Sequence, residues 1–293
     1  MAELITRKES KRYPGLFVKK YSRKVFFDAL WNESDELLEA RGHVEDADGN
    51  IVIRPFTKIF NHGENNTDID IDEMVVAVNK INGFMAAATY VPSVGDVVVS
   101  TTGSLDSPYV TFAEEYINAR VKEWIRNEYH RSGLPVTYMF EICHPEDPHI
   151  VKEASGAYLI GARFVNDEAA YFSDIEQDLE LALDMVAGMM DVLRPSWNVL
   201  QFGTVVEWAK QCKHEGYVVY GQTSRTALKI KSPYYLILKL IARKKDVLSL
   251  DKKRCDEEYY SLIEHVQENI NVFNELDEQA RLEYMISFLE NNR

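Results

Sequence analysis

Two hydrophobic rhythms divide this chain, and the point where one replaces the other limits what it can build. Up to Lys231, short alternating or β-branched runs recur, the period-two signature of strands. They are Met74 to Tyr90 with a break at Asn82-Gly83, Val97 to Thr101, Val136 to Cys143, Ala157 to Val165, Gly216 to Tyr220 and Thr226 to Lys231. Helical spacing interrupts them over Val110 to Arg131 and Ile175 to Leu193. After Pro233 a spacing of three or four takes over: Tyr259, Leu262, Val266, Ile270 and Phe273, then Leu282, Met285 and Leu289. The pattern predicts an α+β domain over residues 1–235, followed by a small all-helical domain over 236–293.

Charge sharpens the division. The 293 residues carry 33 Lys plus Arg against 47 Asp plus Glu, a net −14, which argues against coating nucleic acid by bulk charge. Local basic tracks remain. Residues 1–24 hold eight bases (Arg7, Lys8, Lys11, Arg12, Lys19, Lys20, Arg23, Lys24), and 222–245 hold seven bases and no acid. Residues 256–293 hold ten acids against Arg281 and Arg293. Such runs either face a polyanion or are solvated surface. Cys143, Cys212 and Cys255 are too widely spaced for a disulfide framework or a zinc site. The basic N-terminal segment has no apolar run, so a cytoplasmic protein with no membrane contact is expected.

One strand ends on an unexpected residue. Met74, Val76, Val78 and Lys80 share a face by alternation, so a lysine closes an apolar row directly before Asn82-Gly83, read as a tight turn. Against an apolar wall a lysine loses hydration, its pKa falls, and the free amine becomes a nucleophile. A lysine that snorkels into water is the ordinary alternative. Lys229 and Lys231 share a second strand face while Leu228 and Ile230 take the other. They are either a phosphate clamp or guards on an edge strand. Glu215 stands at the mouth of a strand and Glu141 near the end of another. Carboxylates so placed suit Mg²⁺ shared with substrate phosphates. His144 and His149 flank a Pro-rich loop, without a third ligand at metal spacing, and read as a turn.

In chain order these elements are Lys80-Ile81-Asn82-Gly83, Phe140-Glu141-Ile142, Glu215-Gly216-Tyr217-Val218 and Lys229-Ile230-Lys231-Ser232. The set resembles motifs I, III, IV and V of the covalent nucleotidyltransferases, the ATP-dependent ligases and RNA capping enzymes. Arg41-Gly42, Arg54-Pro55 and Lys58-Ile59-Phe60-Asn61 make it similar to the bacteriophage type of RNA ligase that repairs tRNA, over roughly residues 40 to 235. Two positions depart: Asn82 stands where that family usually has Asp, and Thr102 replaces a lysine before Gly103-Ser104.

The resemblance implies a nucleotidyltransferase (ATP-grasp-like) domain of antiparallel sheets with flanking helices. It implies an enzyme that seals 5′-phosphate and 3′-hydroxyl RNA ends through AMP carried covalently on Lys80, with ATP and Mg²⁺ (or Mn²⁺) as cofactors. Lys229 and Lys231 would neutralise the α-phosphate; Glu215 and then Glu141 would hold the metal. Arg41 and Lys58 would grip the β- and γ-phosphates, Phe60 would stack on adenine, and Asn82 and Gly83 would border the nucleotide. RNA ends, single-stranded or in a tRNA loop, are the implied partners, with an end-healing kinase or phosphatase alongside. Only 62 residues follow Lys231, all with helical spacing, too few for the barrel domain of DNA ligases and capping enzymes. The alternatives are a retired module that only binds nucleotide or RNA ends, and a GTP-using capping enzyme.

Overall fold

The computed structural model describes residues 4–166, 176–243, 248 and 259–291. Ile175, Cys255 and the tail positions 244–247, 249–258 and 292–293 lie outside the described residues. Three sheets form the α+β body. The first is an antiparallel sheet in the order β1 (Ile5–Glu9), β2 (Phe17–Tyr21), β3 (Arg41–Glu45), β4 (Ile51–Ile53), with α1 (Arg23–Phe27) and α2 (Asp35–Glu39) between β2 and β3. It takes up most of the basic N-terminal segment, whose periodicity carried no strand signal. Arg7 and Lys19 ion-pair with Glu45 on β3, which turns bases into cross-strand ties.

The middle sheet, also antiparallel, has the order β10 (Gly156–Phe164), β9 (Val136–Cys143), β7 (Phe84–Val91), β8 (Asp96–Thr101). Alternation sends Tyr138, Phe140 and Ile142 of β9 to one face, against α3 (Pro108–Tyr116), α4 (Ala119–Ser132) and α5 (Glu176–Met190). Met139 and Ala87 go to the other, against Val18, Val44 and Ile53 of the first sheet. The helical run expected over Val110 to Arg131 is two helices. Asn118 caps the second, its side-chain oxygen accepting from the Arg120 and Val121 amides at 3.0 and 3.3 Å, so the chain turns between them.

The third sheet runs β11 (Trp197–Gln201), β6 (Met74–Asn79), β12 (Gly216–Gly221), β13 (Ala227–Lys231), β5 (Phe60–Asn61), with only the β13–β5 pair parallel. One face buries Val75, Ala77, Val219 and Leu228 against Phe202 and Val205 of α6 (Phe202–Gln211). β6 and β7 are not a hairpin: they belong to different sheets, and Asn82-Gly83 is a crossing between them rather than a tight turn. Glycine is needed there because a Cβ on Gly83 would lie 2.3 Å from the Ile142 carbonyl oxygen.

α7 (Pro233–Arg243), α8 (Tyr260–Glu268), α9 (Ile270–Glu275) and α10 (Glu278–Asn291) complete the chain. Ile237, Leu238 and Ile241 of α7 pack with Leu262, Ile263, Val266, Phe273 and Met285 in a separate apolar cluster, joined by Ile150 from the loop after β9. Among the described residues no helix is long and apolar enough to cross a membrane.

Candidate active site

The free face of the third sheet looks across at the middle sheet, and between them lies a cavity of about 450 Å³. Four strands and the segments leading from them supply its chemistry. Lys80 follows β6, and its amide continues the ladder by donating to the Gly216 carbonyl at 2.9 Å. Glu215 directly precedes β12, Lys229 and Lys231 lie on β13, and Glu141 on β9, two residues before that strand ends. All five line the cavity, with Arg41, Asn82, Gly83 and Thr102. β5 pairs with β13 at Leu228 and Lys229, so Lys229 does not guard a sheet edge.

Glu215 is the hub. Lys80 Nζ donates to its Oε2 at 2.9 Å, Asn82 Nδ2 donates to the same oxygen at 2.7 Å, and Lys231 Nζ stands 3.4 Å from Oε1. Burial alone would push this carboxyl up; the ammoniums of Lys80 and Lys231 and the Asn82 amide outweigh it and hold the pKa below the carboxylate range. Asn82 is itself held, its Oδ1 accepting from the Val151 amide at 2.9 Å. An aspartate there would present oxygen to oxygen, so the amide suits this arrangement. Among the described residues Glu141 accepts from the Gly83 amide at 3.2 Å, and desolvation raises its pKa.

The lysines divide against expectation. Lys80, expected to be depressed, is raised: burial pulls its pKa down, but Glu141 and Glu215 together overcome that. The reason is non-local, since the two carboxylates arrive from separate strands. Lys229 is instead the depressed lysine, brought to about 7 by burial and then by Arg41, Lys58, Lys80 and Lys231. No carboxylate lies within ion-pair distance of it among the described residues.

Lys58 and Phe60 do not line the cavity among the described residues. Lys58 lies over the Trp31 and Phe60 rings at 4.6 and 4.5 Å, near Glu64, and Phe60 is buried edge-on to Trp31. Phe56, four residues earlier, is the aromatic of that segment at the cavity. Arg54 is turned to structure, donating to the Val165 carbonyl at 3.2 Å beside Glu39. His144 stacks on Phe112 and pairs with Glu115; His149 pairs with Asp147 at the cavity's edge. No group of three or more metal-ligating side chains occurs among the described residues, but two cavity carboxylates with room for phosphate and water oxygens fit a hard divalent cation.

Sequence reading missed one wall. Tyr235, Lys239 and Arg243 of α7, spaced i, i+4, i+8, line the cavity while the helix's other face packs into the helical cluster. Lys239 Nζ lies 3.2 Å from the Tyr235 hydroxyl, and burial lowers its pKa. The acid-free run 222–245 was the available signal.

The RNA ligase family profile matches residues 39–235, two thirds of the chain. The chain belongs to the RNA ligase family. Among solved structures, a putative ATP-dependent DNA ligase from Aquifex aeolicus is similar at TM-score 0.56 and 15% identity, over 98% of this chain and 73% of its own. An archaeal ATP-dependent RNA ligase is similar at TM-score 0.56 and 15% identity, over 99% of this chain and 73% of its own. At such identities these likenesses concern the fold. No curated protein matches the sequence significantly. The expected fold class, antiparallel sheets with flanking helices and a helical C-terminal region, is the one observed.

Proposed function

We propose that this RNA ligase is ATP-dependent and joins RNA 5′-phosphate and 3′-hydroxyl ends through AMP carried on Lys80, in RNA or tRNA repair. The observation that carries the reading is the convergence of Lys80, Glu141, Glu215, Lys229 and Lys231 on one cavity. The archaeal ligase of like fold, described as ATP-dependent, supports the choice of nucleotide.

In the first step the Lys80 amine attacks the α-phosphorus. A P–N bond forms, the bond to the β-phosphate oxygen breaks, and pyrophosphate leaves. An oxygen of the RNA 5′-phosphate then takes the AMP, breaking P–N. Finally the 3′-hydroxyl attacks the RNA 5′-phosphorus, forming the phosphodiester and expelling AMP. Lys80 must enter as the free amine, and the carboxylates that raise its pKa oppose that. Neutralising Glu215 and Glu141 frees it. A Mg²⁺ or Mn²⁺ held by Glu215 and Glu141 would supply that neutralisation and offset phosphate charge. Lys229, Lys231 and Arg41 balance charge on the transferring group. Asn82 and Gly83 set where Lys80 leaves the sheet, and Lys58, close enough to Arg41 and Lys231 to feel their charge, adds to the positive field. In this reading residues 1–235 are the adenylyltransferase unit and 236–293 a helical unit, with α7 crossing the boundary. An RNA end-healing enzyme is the expected partner.

The test is transfer of α-labelled ATP to the protein with a divalent cation. Label should stay on the chain, vanish in Lys80→Ala, and discharge on adding 5′-phosphorylated RNA. Nucleotide binding without label at any pH would make the chain a binding module instead, and a preference for GTP would favour capping chemistry.

A further inference from the structure

The cations around the cavity continue beyond it in one direction. β2 pairs with β3 so that Lys20 stands opposite Arg41, which lines the cavity. Gly42 takes φ +91°, and a Cβ on it would lie 2.8 Å from the Thr102 Cα, so β3 is pressed onto the Thr102-Gly103 turn. Across that turn lies the Lys20 side chain. A Cβ on Gly103 would sit 3.3 Å from Lys20 Cδ and 3.4 Å from its Nζ. Lys20 is exposed and outside the cavity lining.

Four of the eight bases in residues 1–24 are neutralised. Arg7, Arg12, Lys19 and Lys24 each hold a carboxylate. No carboxylate lies within ion-pair distance of Lys20 among the described residues. A cation left unneutralised at the mouth of a cavity rich in lysine and arginine meets whatever anion protrudes from that cavity. Thr102 offers no charge at this point of the rim, so Lys20 is the ammonium over the turn.

We infer that Lys20 is an RNA-positioning residue: the RNA strand leaves the cavity across the Thr102-Gly103 turn, with a backbone phosphate on the Lys20 ammonium. The inference rests on the RNA ligase reading and extends it by giving the strand a path. Lys20 acts after nucleotide has reacted, on the polyanion, and touches no reacting atom.

The test measures binding of a 5′-phosphorylated single-stranded RNA to the full chain across a salt series. One lost phosphate contact on a single strand lowers the slope of log K against log salt by about 0.7, which is about fivefold in affinity at 0.1 M salt. Lys20→Ala should show both changes, and Lys20→Arg should keep wild-type values. Placing the charge one residue away on the same turn, Thr102→Lys in the Lys20→Ala background, should restore the slope. Lys210→Ala removes an equal charge from α6, which does not line the cavity, and should change neither. An unaltered slope and affinity in Lys20→Ala would overturn the inference. So would an equal fall in ATP affinity with the RNA slope unchanged. If wild-type protein seals no RNA, the functional reading falls and this goes with it. If wild type seals RNA and Lys20→Ala matches it, only the inference falls.

Discussion

Lys229→Met should make the protein more stable while destroying its chemistry. The native ammonium is mostly buried, faces four other cations, and has its pKa brought from 10.5 to about 7. At 1.36 kcal/mol per pH unit that gap sets a ceiling of roughly 5 kcal/mol on the cost of holding Lys229 charged. Residual solvent and counter-ions screen the pocket, so about half that, roughly 2 kcal/mol, is the working figure. The direction with pH follows from the proton count. Below about pH 7 lysine is protonated folded or unfolded, and the full penalty applies. Between about 7 and 10.5 only the unfolded chain holds the proton, so stability rises with pH and the penalty fades. Methionine has nearly the same length, no charge, and loses the penalty throughout. Urea denaturation should therefore find Lys229→Met more stable by about 2 kcal/mol at pH 6, with the advantage shrinking by roughly half by pH 9. Label uptake from ATP should drop to background. A variant no more stable than wild type at pH 6, or an advantage that ignores pH, would refute the electrostatic account of this lysine.

Two further substitutions probe the scaffold. Gly83→Ala drives a methyl group into the Ile142 carbonyl and should cost about 2 kcal/mol or more in thermal denaturation, with at least tenfold slower label uptake because Lys80 sits three residues away. Asn118→Ala removes the cap that starts α4 and should cost about 1 kcal/mol, with label uptake unchanged once the protein is folded.

What the sequence revealed and what it hid follow from the range of the interactions concerned. Val136–Cys143 reads as a strand from its own residues and is one, because β-branched and aromatic side chains suit a sheet buried on both faces. Glu141, Glu215, Lys229 and Lys231 were singled out by their order as motifs, since alternation left the two lysines open between a phosphate clamp and edge guards; the fold brings all four to one cavity. The Asn82-Gly83 turn was misread because the same dipeptide serves a hairpin or a crossing; the partners of β6, which are β11 and β12, decide between them. The helix break at Asn118 went unread because the apolar spacing runs unbroken across it. The first sheet escaped notice because its strands are short and β1 to β3 mix charged with apolar residues, and its ties, such as Arg7 to Glu45, join positions distant in sequence. Lys80's raised pKa has the same origin: no local pattern foretells two carboxylates from elsewhere in the chain. Phe60, chosen by motif, lies under Lys58, while Phe56 meets the cavity.

α7 belongs to two structures at once, and this matters to anyone exchanging modules between ligases. A graft cut just after Lys231 would discard Tyr235, Lys239 and Arg243 with the helical tail and leave the cavity short of a side. Cutting after Arg243 instead would keep that side but strip Ile237, Leu238 and Ile241 of their covering, so the donor's tail must offer a matching greasy socket. Swapped tails are thus expected to reshape the cavity between the sheets even where they never touch RNA.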